Sequence, residues 1–99
     1  MAFIQIFEFT FELAWKTLQD LFDSLEYKEV KGPKQVIRQA FLDKYVLDGE
    51  GWMEMLKDRN ASAHEYDQTD SERIFLAICN LHYVNLRLLF ERLQKDYTN

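Results

Sequence analysis

Between Phe3 and Tyr27 the apolar positions Ile4, Phe7, Phe11, Ala14, Leu18, Leu21 and Leu25 follow one another in steps of three and four, the spacing that brings side chains to one face of an α-helix. A first amphipathic helix is predicted there. Phe3, Ile6, Phe9, Leu13, Trp15 and Phe22 fall outside that stripe, so the apolar surface is wider than one neighbouring helix covers. Something further has to pack on it. Lys31-Gly32-Pro33 interrupts the pattern, and Pro33 suits the first position of a second, short helix with Val36, Ile37, Ala40, Phe41 and Tyr45 on one face. Asp48-Gly49-Glu50-Gly51 reads as a tight loop, and a third helix follows with Trp52, Met55 and Leu56 inward and Glu54, Lys57 and Asp58 outward. Thr69 and Glu72 have the spacing of a capping box, and behind them a long helix is expected from about Ser71 to Tyr97. Its stretch from Ile74 to Cys79 is apolar all round, which predicts burial on several sides.

Composition strengthens this reading. Three Gly and one Pro leave too few turn residues for a many-stranded sheet, while eight Phe, five Tyr and two Trp give a chain of 99 residues ample material for one core. The expectation is therefore a single all-α domain over 1–99, an antiparallel bundle of about four helices. Its surplus apolar surface is buried by oligomerisation, most simply as a homodimer. The single cysteine, Cys79, forms no intrachain disulfide, and no basic segment precedes a short apolar one at the start, so a cytoplasmic protein is expected. Charged residues interrupt each apolar run before it reaches the roughly 18 residues of a membrane span, and no membrane partner is expected. A net charge of −5 excludes an overall basic field, so any RNA contact has to be local.

The densest polar cluster is Arg59-Asn60-Ala61-Ser62-Ala63-His64-Glu65-Tyr66. Asn60 and His64 stand one helical turn apart, so the amide is placed to orient the imidazole. Arg59 is turned roughly 140° from His64, and the two converge on one substrate only through a helix break or a second subunit. An Arg stabilises a phosphorane and a His exchanges protons near neutral pH, which suffices for cleavage of RNA by its own 2′-hydroxyl without a metal. The plainer reading is a solvated Arg and a His near a helix C-terminus. Glu8 and Glu12 stand one turn apart but lack a His at ligand spacing, and read as a solvated face with no metal. Cys79 reads as a buried, inert thiol, His82 as a surface or packed histidine with no carboxylate nearby in sequence, and Trp15 as core. There is no Gly-rich phosphate loop, no G-x-S-x-G and no zinc pattern, so nucleotide transfer has no visible machinery here and no cofactor is expected.

Three blocks together, Phe7-Glu8-Phe9-Thr10-Phe11-Glu12-Leu13-Ala14-Trp15-Lys16, Gly32-Pro33-Lys34-Gln35-Val36-Ile37-Arg38 and the span Trp52 to Tyr66 with Asp58-Arg59-Asn60, resemble the nucleotidyltransferase substrate-binding proteins of the HEPN superfamily. The resemblance covers nearly the whole chain. It implies a bundle of four to five helices, generally dimeric, that associates with a minimal nucleotidyltransferase in a toxin–antitoxin-like pair. It also implies that Arg59 and His64 occupy the superfamily's Arg-x4-6-His motif, a metal-independent ribonuclease site at the dimer interface of active members, with Asn60 beside it. Tyr66 matches the His-x-Tyr tyrosine that the partner adenylylates in related toxins. The resemblance thus leaves two functions open, a substrate-binding partner subunit and a ribonuclease toxin, and RNA as a further ligand. The family usually carries another helix ahead of the Phe-Glu-Phe-Thr block, whereas only residues 1–6 precede it here and Ile6 stands where a polar or basic residue is common. That helix is expected to be missing, which accounts for the surplus apolar surface of the first helix.

Overall fold

A computed structural model describes residues 2–62 and 68–98, and the chain is an all-α bundle with no strand among them. Helix α1 spans Ala2–Ser24, α2 Gly32–Leu42 and α3 Gly49–Ser62. Helix α4, Gln68–Ala77, continues through a π-helical turn, Ile78–His82, into α5, Tyr83–Thr98, so that the last three form one unbroken rod.

The stripe of α1 packs largely as its spacing requires, with Ile4, Phe7, Phe11, Ala14 and Leu18 all buried. At its end the face rotates: Phe22, which the pattern placed outside, is buried, and Leu25, which the pattern placed inside, lies beyond the last turn and is exposed. Both α1 and α2 stop in the same way. Glu26 and Lys44 adopt positive φ, 66° and 65°, and the next amide in each case donates back into the helix, Tyr27 N to Phe22 O at 3.0 Å and Tyr45 N to Ala40 O at 2.8 Å. These are Schellman ends built without the usual glycine. The Tyr27 hydroxyl then donates to Asp43 at 2.9 Å and ties the two ends together.

Helix α2 begins where Pro33 indicated, with Gln19 of α1 bridging the approach: its amide donates to Val30 O and its carbonyl accepts from Gly32 N. Asp48 caps α3, its carboxylate accepting from Gly51 N at 2.9 Å. Gly49, Glu50 and Gly51, expected as loop, are therefore the first turn of the helix. A Cβ on Gly51 would lie 2.2 Å from the Asp48 carboxylate and 2.6 Å from the Asn85 amide, so the glycine is what lets α3 approach the rod.

The rod packs with Ile74, Ile78, His82, Asn85, Leu86 and Leu89 inward. In a straight α-helix, steps of four would carry Leu86 roughly 120° round from Ile74. The wider π turn takes up that drift and keeps both halves facing α1 and α3. Burial is one-sided, contrary to the expectation for Ile74 to Cys79: Phe75, Leu76 and Cys79 are exposed. The last helix begins at Gln68, so Thr69, expected ahead of it, falls inside the first turn of α4. The reading that charges break up every long apolar run is also corrected, because Asp70–Thr98 includes an 18-residue window of mean hydropathy 1.3 and is long and apolar enough to cross a membrane by length and composition. Its inward face nevertheless carries His82 and Asn85, each bonded to a carboxylate of α3 or of its cap.

Candidate functional site

Asp58, Arg59 and Asn60 follow one another near the end of α3, about 100° apart around its axis, and so point in three directions. Asp58 turns into the core, corrected from the outward position its charge suggested, and is 2% exposed. One carboxylate oxygen accepts from Arg73 Nη1 at 2.9 Å, and the other lies 2.7 Å from His82 Nε2. Burial alone would raise the pKa of Asp58. The hydrogen bonds from His82 and Arg73, together with the Arg73 charge, outweigh it and hold the carboxyl below the usual range. With Asp58 anionic, the shared proton sits on His82 Nε2. The imidazole is fully buried and stacks on Phe7 at 5.3 Å between centroids, and its Nδ1 has no partner among the described residues. His82 is thus packed, as one of its two readings held. Its carboxylate comes from 24 residues upstream, which no local reading of the sequence finds. One signal was present, since Asp58 continues the inward steps Trp52 and Met55 at an interval of three.

Arg59 turns the other way, toward α1, where its Nε donates to Glu12 at 3.2 Å. Lys16 stands 3.5 Å from the second oxygen of Glu12. One turn earlier the Glu8 carboxylate accepts from the Ser62 hydroxyl at 2.7 Å. Glu8 and Glu12 are therefore the seat on which the end of α3 rests, not a solvated face. Neither Arg59 nor Glu12 is fully buried, so their pair contributes about 0–1 kcal/mol and is held mainly by geometry. Asn60 is exposed. His64 and Tyr66 lie outside the described residues. The structure thus brings Arg59 to one carboxylate of its own protomer, Glu12, and Ser62 to Glu8 beside it, while the pairing of Asn60 with His64 falls on residues it does not describe. Among the described residues, no three His, Cys, Asp or Glu side chains gather as metal ligands would.

Chemically, the guanidinium of Arg59 has planar donors suited to a phosphate, but a phosphate reaching its Nε edge has to displace Glu12 and pass near Glu8. The apolar surroundings are better suited to macromolecular contact. Ile6 and Phe9 on the outer face of α1 are 64% and 72% exposed, with Leu13 exposed one turn on. Beside them a groove of about 420 Å³ opens between α1 and α5, floored by Phe3, Ile6, Leu86 and Phe90.

No curated protein matches the chain. A family model described as nucleotidyltransferase substrate binding protein like matches residues 1–95, which takes in α1, the Asp58-Arg59-Asn60 turn and nearly all of the rod. The chain belongs to the nucleotidyltransferase substrate-binding protein-like family.

Proposed function

We propose that this chain is the substrate-binding, partner subunit of a two-component minimal nucleotidyltransferase system of toxin–antitoxin type, and that it acts as an oligomer. The observation that carries this reading is the apolar surface left uncovered on α1, where Ile6, Phe9 and Leu13 stand in solvent beside the α1–α5 groove. Such a surface is costly in an isolated protomer and marks an interaction site. Family membership supplies the class of the partner.

The ribonuclease reading, in which Arg59 and His64 cleave RNA and AMP on Tyr66 restrains them, draws less support from the geometry. In the protomer Arg59 is neutralised by Glu12, and the −5 net charge offers RNA no general attraction. The test is to co-express the chain with a minimal nucleotidyltransferase from the same genome, measure the mass of the purified complex, and incubate both proteins with ATP. A stable complex, with or without an AMP adduct mapped to Tyr66, supports the partner reading. Separate migration of the two proteins at micromolar concentration would remove it. RNA cleavage by the chain alone that is lost in Arg59→Lys and in His64→Ala would establish the ribonuclease instead.

A further inference from the structure

A second groove, of about 920 Å³, lies between the end of α2 and the start of α3, away from the α1 face. Phe41, Leu42, Leu47 and Met53 line it, and Leu42 and Leu47 are 70% and 79% exposed. Gly49 lies flat against the Phe41 ring, a Cβ there falling 2.9 Å from it, so the first turn of α3 and the aromatic form one continuous wall.

Charges of opposite sign stand on its two sides. Arg38 stands on the α2 side, and Glu50 and Glu54, one turn apart, stand on the α3 side. The other four arginines, Arg59, Arg73, Arg87 and Arg92, are each paired with a carboxylate, whereas Arg38 makes no ion pair among the described residues. Glu50 and Glu54 make none either. The α1–α5 groove, by contrast, has its rim charges, Arg87 and Glu91, satisfied by each other at 2.9 Å. Glu50 suits the first turn of a helix; Arg38 and Glu54 have no such local role.

From this we infer that the α2–α3 groove is a docking site for one amphipathic helix of the partner nucleotidyltransferase. That helix presents an apolar stripe to Leu42 and Leu47, two Lys or Arg one turn apart to Glu50 and Glu54, and a carboxylate to Arg38. The spacing of the two glutamates, about 6 Å along α3, is reproduced by residues four apart on a facing helix. Groove recognition of this kind takes its anchors from the apolar stripe and its orientation from the flanking charges. The inference rests on the partner reading above for the identity of the helix, and on the groove itself for its chemistry.

Two measurements separate these. The first titrates the isotope-labelled full chain with a synthetic helical peptide carrying a Leu stripe, two Lys four residues apart on one edge and a Glu on the other, followed by amide chemical shifts. Shifts centred on Leu42, Leu47, Glu50 and Glu54 are expected, with binding weakened about tenfold or more when Glu50→Lys and Glu54→Lys are combined. A peptide with Glu in place of its Lys should then rebind the reversed variant. Shifts confined to the α1–α5 groove, affinity indifferent to the reversal, or Leu42 and Leu47 moving with protein concentration in the absence of peptide would each overturn the assignment, the last because a second copy would be the occupant. The second measurement is co-purification of the wild-type and reversed chains with a minimal nucleotidyltransferase from the same genome. Equal recovery of both refutes the groove and leaves the partnership standing. Failure of the wild type to bind refutes the partnership, and with it the identity of the helix.

Discussion

Lys44 and Glu26 hold the left-handed conformation that ends α2 and α1, in which a Cβ crowds the neighbouring carbonyl. Glycine there relieves that strain but enlarges the conformational freedom of the unfolded chain, so the net gain is about 0.5 kcal/mol per site. Lys44→Gly should therefore raise the urea midpoint slightly, and a fall would show that the Lys44 side chain holds the turn in some other way. Asp58 behaves differently because its worth depends on pH. Its folded-state pKa lies below the unfolded value of about 3.9, so the stabilisation is complete above that value and is lost as pH falls through the folded pKa. Asp58→Asn should cost about 3 kcal/mol at pH 7, since it leaves His82 and Arg73 without their anion. The same substitution should flatten the decline in stability below about pH 4 that urea titrations would show for the wild type. An undiminished acid slope in the variant would place the titrating group elsewhere.

At the level of the elements, what could be read from the sequence was whatever repeats locally. Ile4, Phe7, Phe11, Ala14 and Leu18 declared the inner face of α1, and Pro33 declared the start of α2. Where α1 runs out, the same spacing pointed to Leu25 instead of Phe22, because a period carries no information about the turn at which a chain leaves the helix. Charge misled in the same way at Asp58: a carboxylate is normally solvated, and the arginine and histidine that make its burial tolerable sit on a different helix. Cys79 was read as buried from its apolar neighbours, yet it stands on the open side of the rod. Of the candidate site, Arg59 was legible as a residue type, while its engagement by Glu12 comes from 47 positions away and needed the fold. An element-level expectation follows. Glu12→Ala releases the Nε of Arg59, so if that arginine has any role toward RNA the variant should bind it more tightly at low salt, and a filter-binding curve identical to the wild type would count against such a role.

For the whole molecule, the protomer is a bundle measuring 42 × 26 × 21 Å that buries a mainly apolar core and leaves large apolar side chains on more than one side. Replacing Ile6 and Phe9 together by Lys should abolish self-association in sedimentation while leaving the far-ultraviolet spectrum unchanged, because neither side chain belongs to the core. A wild type already monomeric at micromolar concentration would defeat that expectation. The π turn at Ile78–His82 bears on how the length of this chain can vary. Five residues there span what four would span in an ordinary helix, so the rod carries a spare residue. Deleting Asn80 should let the helix close into a regular spiral with Ile78 and Leu86 still on the inner side, and the protein should fold and stay nearly as helical. Deleting Arg87, a few positions on, has no such slack to draw upon and should swing Leu89 about 100° out of the core. A lost codon, ordinarily ruinous inside a helix, would be forgiven at one place in this rod and punished at the next.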